Sequence, residues 1–238
     1  MTRSTSRIVR GWIETATELL TALPPLVVIL AIVLLAWWLA GRRVAILAAV
    51  GFLFLWNLRL WGPTMETLVL VILATLAALA IGIPIGILCA LSKRVWKTVG
   101  PVLDMMQTMP SFVYLIPAIP FFGLGSVSAV FATIVFSMPP VIRLTALGIL
   151  SVPKELVEAS DAFGTTTTQK LFKVQLPLAL PTIMAGINQT IMLSLSMVVI
   201  AALVGAAGLG VPVVRALNSV NTALGFESGF VIVVVAII

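Results

Sequence analysis

From Thr67 to Leu91 the chain carries no charged side chain, and a run of that kind leaves few folds open. A helix needs about 20 apolar residues to cross the hydrocarbon of a bilayer, and several runs here exceed the roughly 18 that mark a span. Of the 238 residues, 61% are apolar and only 9% charged, whereas soluble domains hold about 25% charged residues. A membrane β-barrel would instead show short segments of alternating polarity. The chain therefore reads as an all-α polytopic membrane protein. Its net charge of +6 fits basic loops that orient spans, and no nucleic-acid partner is expected. Cys89 is the lone cysteine and histidine is absent. An intrachain disulfide is thereby excluded, and the commonest general base and metal ligand are missing. No GxxxxGK[ST] phosphate loop occurs. We expect no catalytic residue, no metal and no cofactor on this chain, so any nucleotide chemistry belongs to another subunit.

Residues 1–23 read as a retained polar tail with a short amphipathic helix around Ile8–Leu20. The apolar run beyond it closes on Trp37, Trp38, Arg42 and Arg43, an interface anchor and not a cleavage site. Spans are expected at Pro24–Ala40, Val44–Leu60, Thr64–Leu91, Pro101–Phe122, Val127–Leu150 and Thr182–Val204. The third holds Gly82 and Gly86, a spacing that lets helices approach closely, with Pro84 between them as a kink. Pro101 suits the first turn of the fourth span, and Asp104 then lies near the positive end of the helix dipole. Pro110, Pro117 and Pro120 should break that span. Arg143, near the end of the fifth, is expected to snorkel to the interface. The last apolar run, Phe230–Ile238, would make only about 14 Å of helix, so the natural chain is expected to continue.

Lysine and arginine give the orientation. Loops after the first, third and fifth spans carry Arg42, Arg43, Lys93, Arg94, Lys97, Lys154, Lys170 and Lys173; those after the second, fourth and sixth carry Arg215, with Arg59 just inside a helix end. This bias places the loop after the fifth span in the cytoplasm, although Arg3, Arg7 and Arg10 in the tail oppose it.

That loop, Pro153–Pro181, is a polar island in a hydrocarbon chain. Pro153 sets a first helical turn and Gly164 is a natural left-handed stop. Leu156, Ala159 and Phe163 make one apolar stripe, while Glu155, Glu158 and Asp161 occupy other faces. Thr166 and Gln169 fit a capping box that opens a second short helix. Leu171, Phe172 and Val174 should pack downward, Lys170 and Lys173 should face water, and Leu176-Pro177 should end it.

Glu158-Ala159-Ser160, then Gly164, then Val174-Gln175-Leu176-Pro177 resembles the EAA motif of binding-protein-dependent ABC importer permeases, departing mildly at Ser160 and Val174. Residues 109–125, 138–149, 171–201 and the Gly-Leu-Gly at 208–210 are similar to the permease of glycine betaine/proline betaine importers. The resemblance implies a type I ABC importer transmembrane domain. It would comprise the tail 1–23, two extra spans in 24–63, and a five-helix core in 64–238 with a coupling element at 151–181. It implies that Glu158, Ala159, Ser160, Asp161 and Gly164 receive the motion of a cytoplasmic ABC ATPase, which would hold the ATP and magnesium. It further implies a permease homodimer, a substrate-binding protein, and small quaternary-ammonium osmolytes as cargo in the inner membrane of a prokaryote. An ATP-independent secondary transporter or channel is the alternative; few intramembrane acids are available to couple protons or sodium.

Four residues are candidates for the translocation path. Asn188, Gln189 and Ser196 are polar within an apolar helix, with Gln189 and Ser196 on one face; equally, they fit interhelical hydrogen bonding. Tyr114 lies among aromatic residues whose faces attract quaternary ammonium groups, although packing is the plainer role for such rings.

Overall fold

The computed structural model describes residues 2–237, all of its regular elements helical. In chain order they are α1 (Thr2–Ala22), α2 (Pro25–Ala40), α3 (Arg42–Asn57), α4 (Trp61–Leu91), α5 (Lys93–Thr108), α6 (Leu115–Phe122), α7 (Ser126–Leu150), α8 (Lys154–Ala162), α9 (Thr167–Lys170), α10 (Leu176–Ala202), α11 (Gly210–Asn218) and α12 (Thr222–Ile237). Among the described residues three helices are long and apolar enough to cross a membrane: α4, α7 and the continuous helix from Thr167 to Ala202. The count rises to five if each of two bent helix pairs is one span. Two compact units share the chain, one of Met1–Leu73, Ser111–Ala132 and Leu195–Ile238, the other of Ala74–Pro110 and Thr133–Ser194.

In the first unit α2 and α3, each of 16 residues, form a hairpin. It turns at Gly41, whose φ of +90° suits a residue without Cβ. Val28 and Ile29 of α2, Phe52 and Leu55 of α3, Met65 of α4 and Val231 of α12 are buried in one apolar cluster. The amphipathic tail helix is real and longer than expected, and it meets α2 at 102° across Leu23-Pro24. A buried bond ties the Gly208-Leu209-Gly210 turn to α4: the Leu209 N–H donates to Thr67 Oγ1 at 2.8 Å. Thr67→Val keeps the shape and removes the acceptor. A buried N–H left unpaired costs about 1–3 kcal/mol. Thermal unfolding in detergent should therefore fall for Thr67→Val and hold for Thr67→Ser; equal melting of both variants would contradict the assignment.

In the second unit, glycines let backbones approach. A Cβ on Gly82 would lie 2.5 Å from Val141 Cγ1, and one on Gly86 would lie 2.6 Å from Thr145 Cβ. On an adjoining face of α7, a Cβ on Gly186 would lie 3.0 Å from Leu144 Cβ. Thr75 Oγ1 donates to Ser194 Oγ at 3.2 Å, a buried tie between α4 and α10. These are the small-residue contacts and polar bonds that associate helices in lipid.

Three expected boundaries are corrected. The fourth span does not start at Pro101: α5 begins at Lys93, where Ser92 Oγ accepts from the Val95 N–H. Asp104 therefore sits deep in a helix and far from its positive end. The expected break is present. Met109 before Pro110 is extended (ψ 135°), as the proline ring requires of its neighbour, and a single 3₁₀ turn, Ser111–Tyr114, precedes α6. Second, Leu176-Pro177 does not end the polar island's second helix. A π-helical stretch, Leu171–Gln175, carries α9 into α10, with the Leu176 N–H donating to the Leu171 carbonyl. The widened turn places Pro177 in the first turn of α10, where its missing N–H is tolerated. Third, α12 begins at Thr222 and not at Phe230, because Asn221 Oδ1 accepts from the Leu224 N–H and caps it.

Candidate functional site

The polar island folds as two helical pieces on a firm mount. Pro153 precedes α8, which stops where Gly164 takes φ +71°. The Thr165 N–H and Oγ1 both donate to the Ser160 carbonyl, at 3.3 and 2.8 Å. The capping box is complete: Gln169 N–H donates to Thr166 Oγ1 at 3.3 Å and Thr166 N–H to Gln169 Oε1 at 3.0 Å. Lys170 Nζ reaches both carboxylate oxygens of Asp161, at 2.7 and 2.9 Å. That ion pair clamps α8 to α9, so Lys170 does not simply face water as the sequence suggested. Leu171 is buried with Ile149 of α7 and with Ala179 and Ile183 of α10, which anchors the element to two long helices.

Among the exposed charges of α8, Lys154, Glu155, Glu158 and Asp161, apolar side chains are also left uncovered. Ser160 is buried, and its Oγ donates to the Val157 carbonyl at 2.7 Å. Glu158, Ala159 and Gly164 are exposed, Leu156 is 45% exposed and Phe163 88%. The stripe read from the sequence exists, but this chain leaves much of it uncovered. Phe172, expected to point down, is also exposed at 62%.

The four path candidates divide two and two between the compact units, with Ser196 and Tyr114 in the first. Asn188 and Gln189 are exposed on α10 in the second unit, and Ser196 is exposed two turns beyond Gln189 on the same helix. Tyr114 belongs to the first unit and is buried.

Sequence reasoning missed one polar feature. Asp104 and Arg143 are the sole charged residues between Lys97 and Lys154, one of each sign. In the second unit Arg143 Nη2 of α7 donates to Asp104 Oδ1 of α5. Arg143 is thus held by a partner, where snorkelling alone was expected. Complementary signs in an otherwise uncharged stretch were the available signal.

These helices have the fold of a type I ABC importer transmembrane domain. The solved inward-facing structure of the MetNI methionine ABC transporter has the same fold, with a TM-score of 0.66 and 24% identity over 71% of this chain and 86% of that one. Residues 82–238 match the family described as binding-protein-dependent transport system inner membrane component, and the chain belongs to that family. Two relatives extend the match. The glycine betaine transport system permease protein OpuAB of Bacillus subtilis is 51% identical over 90% of this chain and 76% of its own length. The glycine betaine/carnitine transport permease protein GbuB of Listeria monocytogenes is 48% identical over 98% and 84%.

Proposed function

We propose that this chain is the permease subunit of an ATP-driven importer for small quaternary-ammonium osmolytes of the glycine betaine class. It forms the translocation path, while ATP and magnesium are held, and ATP hydrolysed, by a separate cytoplasmic ABC ATPase. A substrate-binding protein delivers the cargo, and two permease copies form the assembly in the inner membrane. The observation that carries the reading is α8. It exposes an apolar stripe at Leu156, Ala159 and Phe163 beside Glu158, and its far end is clamped and anchored to α7 and α10. A helix that leaves so much apolar surface uncovered at a rigid site is built to be covered by another protein. Glu158, Ala159, Ser160, Asp161 and Gly164 form the ATPase-coupling element on this reading, and the lysine and arginine bias puts it in the cytoplasm. The relatives named for glycine betaine and carnitine support the cargo class.

Reconstitution tests it. Vesicles holding the permease, its ATPase and its binding protein should accumulate labelled glycine betaine only with ATP on the ATPase side. Uptake driven by an ion gradient without the ATPase would replace this reading with a secondary carrier.

A further inference from the structure

Helix α5 has two unlike faces. Val95, Val99, Leu103 and Met106 pack toward Cys89, Ile142 and Ala146. Lys97, Pro101, Asp104 and Thr108, spaced by four, three and four residues, form an exposed strip. Within the second unit, Arg143 of α7 reaches this strip. It lies seven residues before the end of α7 at Leu150, so about 10 Å inside that helix. A pair of opposite charges held this far inside a helix favours the interior of a helix assembly or water over acyl chains. The strip therefore borders a protein-lined or aqueous space.

The ion pair in that strip is an open one. The Asp104 side chain is 68% exposed and that of Arg143 31%. A closed arginine–carboxylate lock uses two parallel N–H bonds. Here only Nη2 engages Asp104, and Arg143 Nε is buried without a hydrogen-bond partner. Nor do the helices depend on the pair for their register: Leu103 and Ile142, the residues preceding the two charges, are buried together in the apolar cluster behind them.

We propose that Asp104 and Arg143 form a transit subsite for zwitterions that join a quaternary ammonium to a carboxylate. The ammonium carries no N–H and is drawn to the Asp104 carboxylate by charge alone. The ligand carboxylate accepts from Nη N–H groups of the guanidinium that Asp104 leaves unused, Nε being buried. When the zwitterion leaves, the two side chains pair with each other again. That internal competition keeps occupancy brief, as a conducting path requires. The inference rests on the permease reading above and adds residues which that reading does not include.

Two variants of the assembled importer test it in ATP-loaded vesicles. In Asp104→Asn/Arg143→Gln neither charge is left alone; asparagine matches aspartate in size, and glutamine ends two bonds short of the guanidinium tip. Uptake of glycine betaine, per complex recovered with its ATPase, should fall about tenfold or more, the loss expected for charge-assisted bonds. Uptake at the parent level would make the pair a tether and overturn the subsite. Thr108→Cys lies one turn from Asp104 on the same strip, and the native Cys89 is buried, so background labelling is low. A water-soluble methanethiosulfonate bearing a trimethylammonium group should modify the introduced thiol, and glycine betaine should slow the reaction. A thiol there that is unreactive, or indifferent to glycine betaine, would show that lipid or a second copy of the chain covers the strip, and would overturn the proposal. Absence of ATP-driven uptake by the parent importer would instead sink the permease reading itself.

Discussion

Gly164→Glu is expected to leave the protein inserted in the membrane and to abolish ATP-driven uptake. The position separates two effects cleanly. Gly164 adopts φ +71°, which L-residues take at a cost of about 1–2 kcal/mol. A Cβ there meets nothing within 4 Å in this chain, so no internal clash is created. Gly164→Ala carries only the backbone cost and should retain most uptake. Gly164→Glu adds a charged side chain that the chain itself has room for, so a far larger loss from glutamate than from alanine must arise where a partner docks. Uptake and co-purification of the ATPase are the two readouts. Glutamate and alanine variants that transport alike would remove Gly164 from the docking surface. Ala159→Trp should behave like the glutamate variant, since Ala159 is exposed on the same element.

Gly86→Leu should act on the fold, and severely. The first atom added to Gly86 already lies 2.6 Å from Thr145 Cβ and 2.7 Å from the Ile142 carbonyl oxygen. One obstacle is backbone and the other a β-branched side chain with little freedom to turn away. α4 and α7 must separate to admit it, opening the contacts that Gly82 makes with Val141 and Met138 one turn earlier. Overpacking of a close interface costs about 1–3 kcal/mol for added methylenes and more where backbone must shift. The folded yield of Gly86→Leu in detergent should fall several-fold, and Gly86→Ala should sit between it and the parent. A leucine variant that elutes and melts like the parent would show that the two helices are not held as described. Gly62, whose Cβ meets nothing within 4 Å, is the internal control.

Much of this was legible in the sequence, for definite reasons. Hydrocarbon runs announce helices because lipid offers the backbone no other partner. The break near Pro110, the stop at Gly164 and the capping box of Thr166 and Gln169 were each readable from the local rules of single residue types. What escaped depended on context. Pro177 looked like a terminator because proline breaks an α-helix, and nothing local in Leu171–Gln175 signals that the chain will widen into a π turn to receive it. Pro101 looked like a helix start, while Ser92 nine residues earlier held the cap. For the candidate site, the apolar stripe of α8 was visible but its exposure was not. Periodicity shows that residues share a face and is silent on what covers it. The pairing of Asp104 with Arg143 joins residues 39 apart in the chain, beyond the reach of any local pattern.

On the proposed reading, the π turn at Leu171–Gln175 bears on how work is passed on. Had Leu176-Pro177 closed a separate helix, a loop would lie between the polar island and α10, and a push on the island would be absorbed by the many conformations of that loop. Instead helical structure runs unbroken from Thr167 to Ala202, so no loop lies between the island and α10. Displacement at Lys170 is displacement of α10, and little of the force applied there is lost as linker entropy.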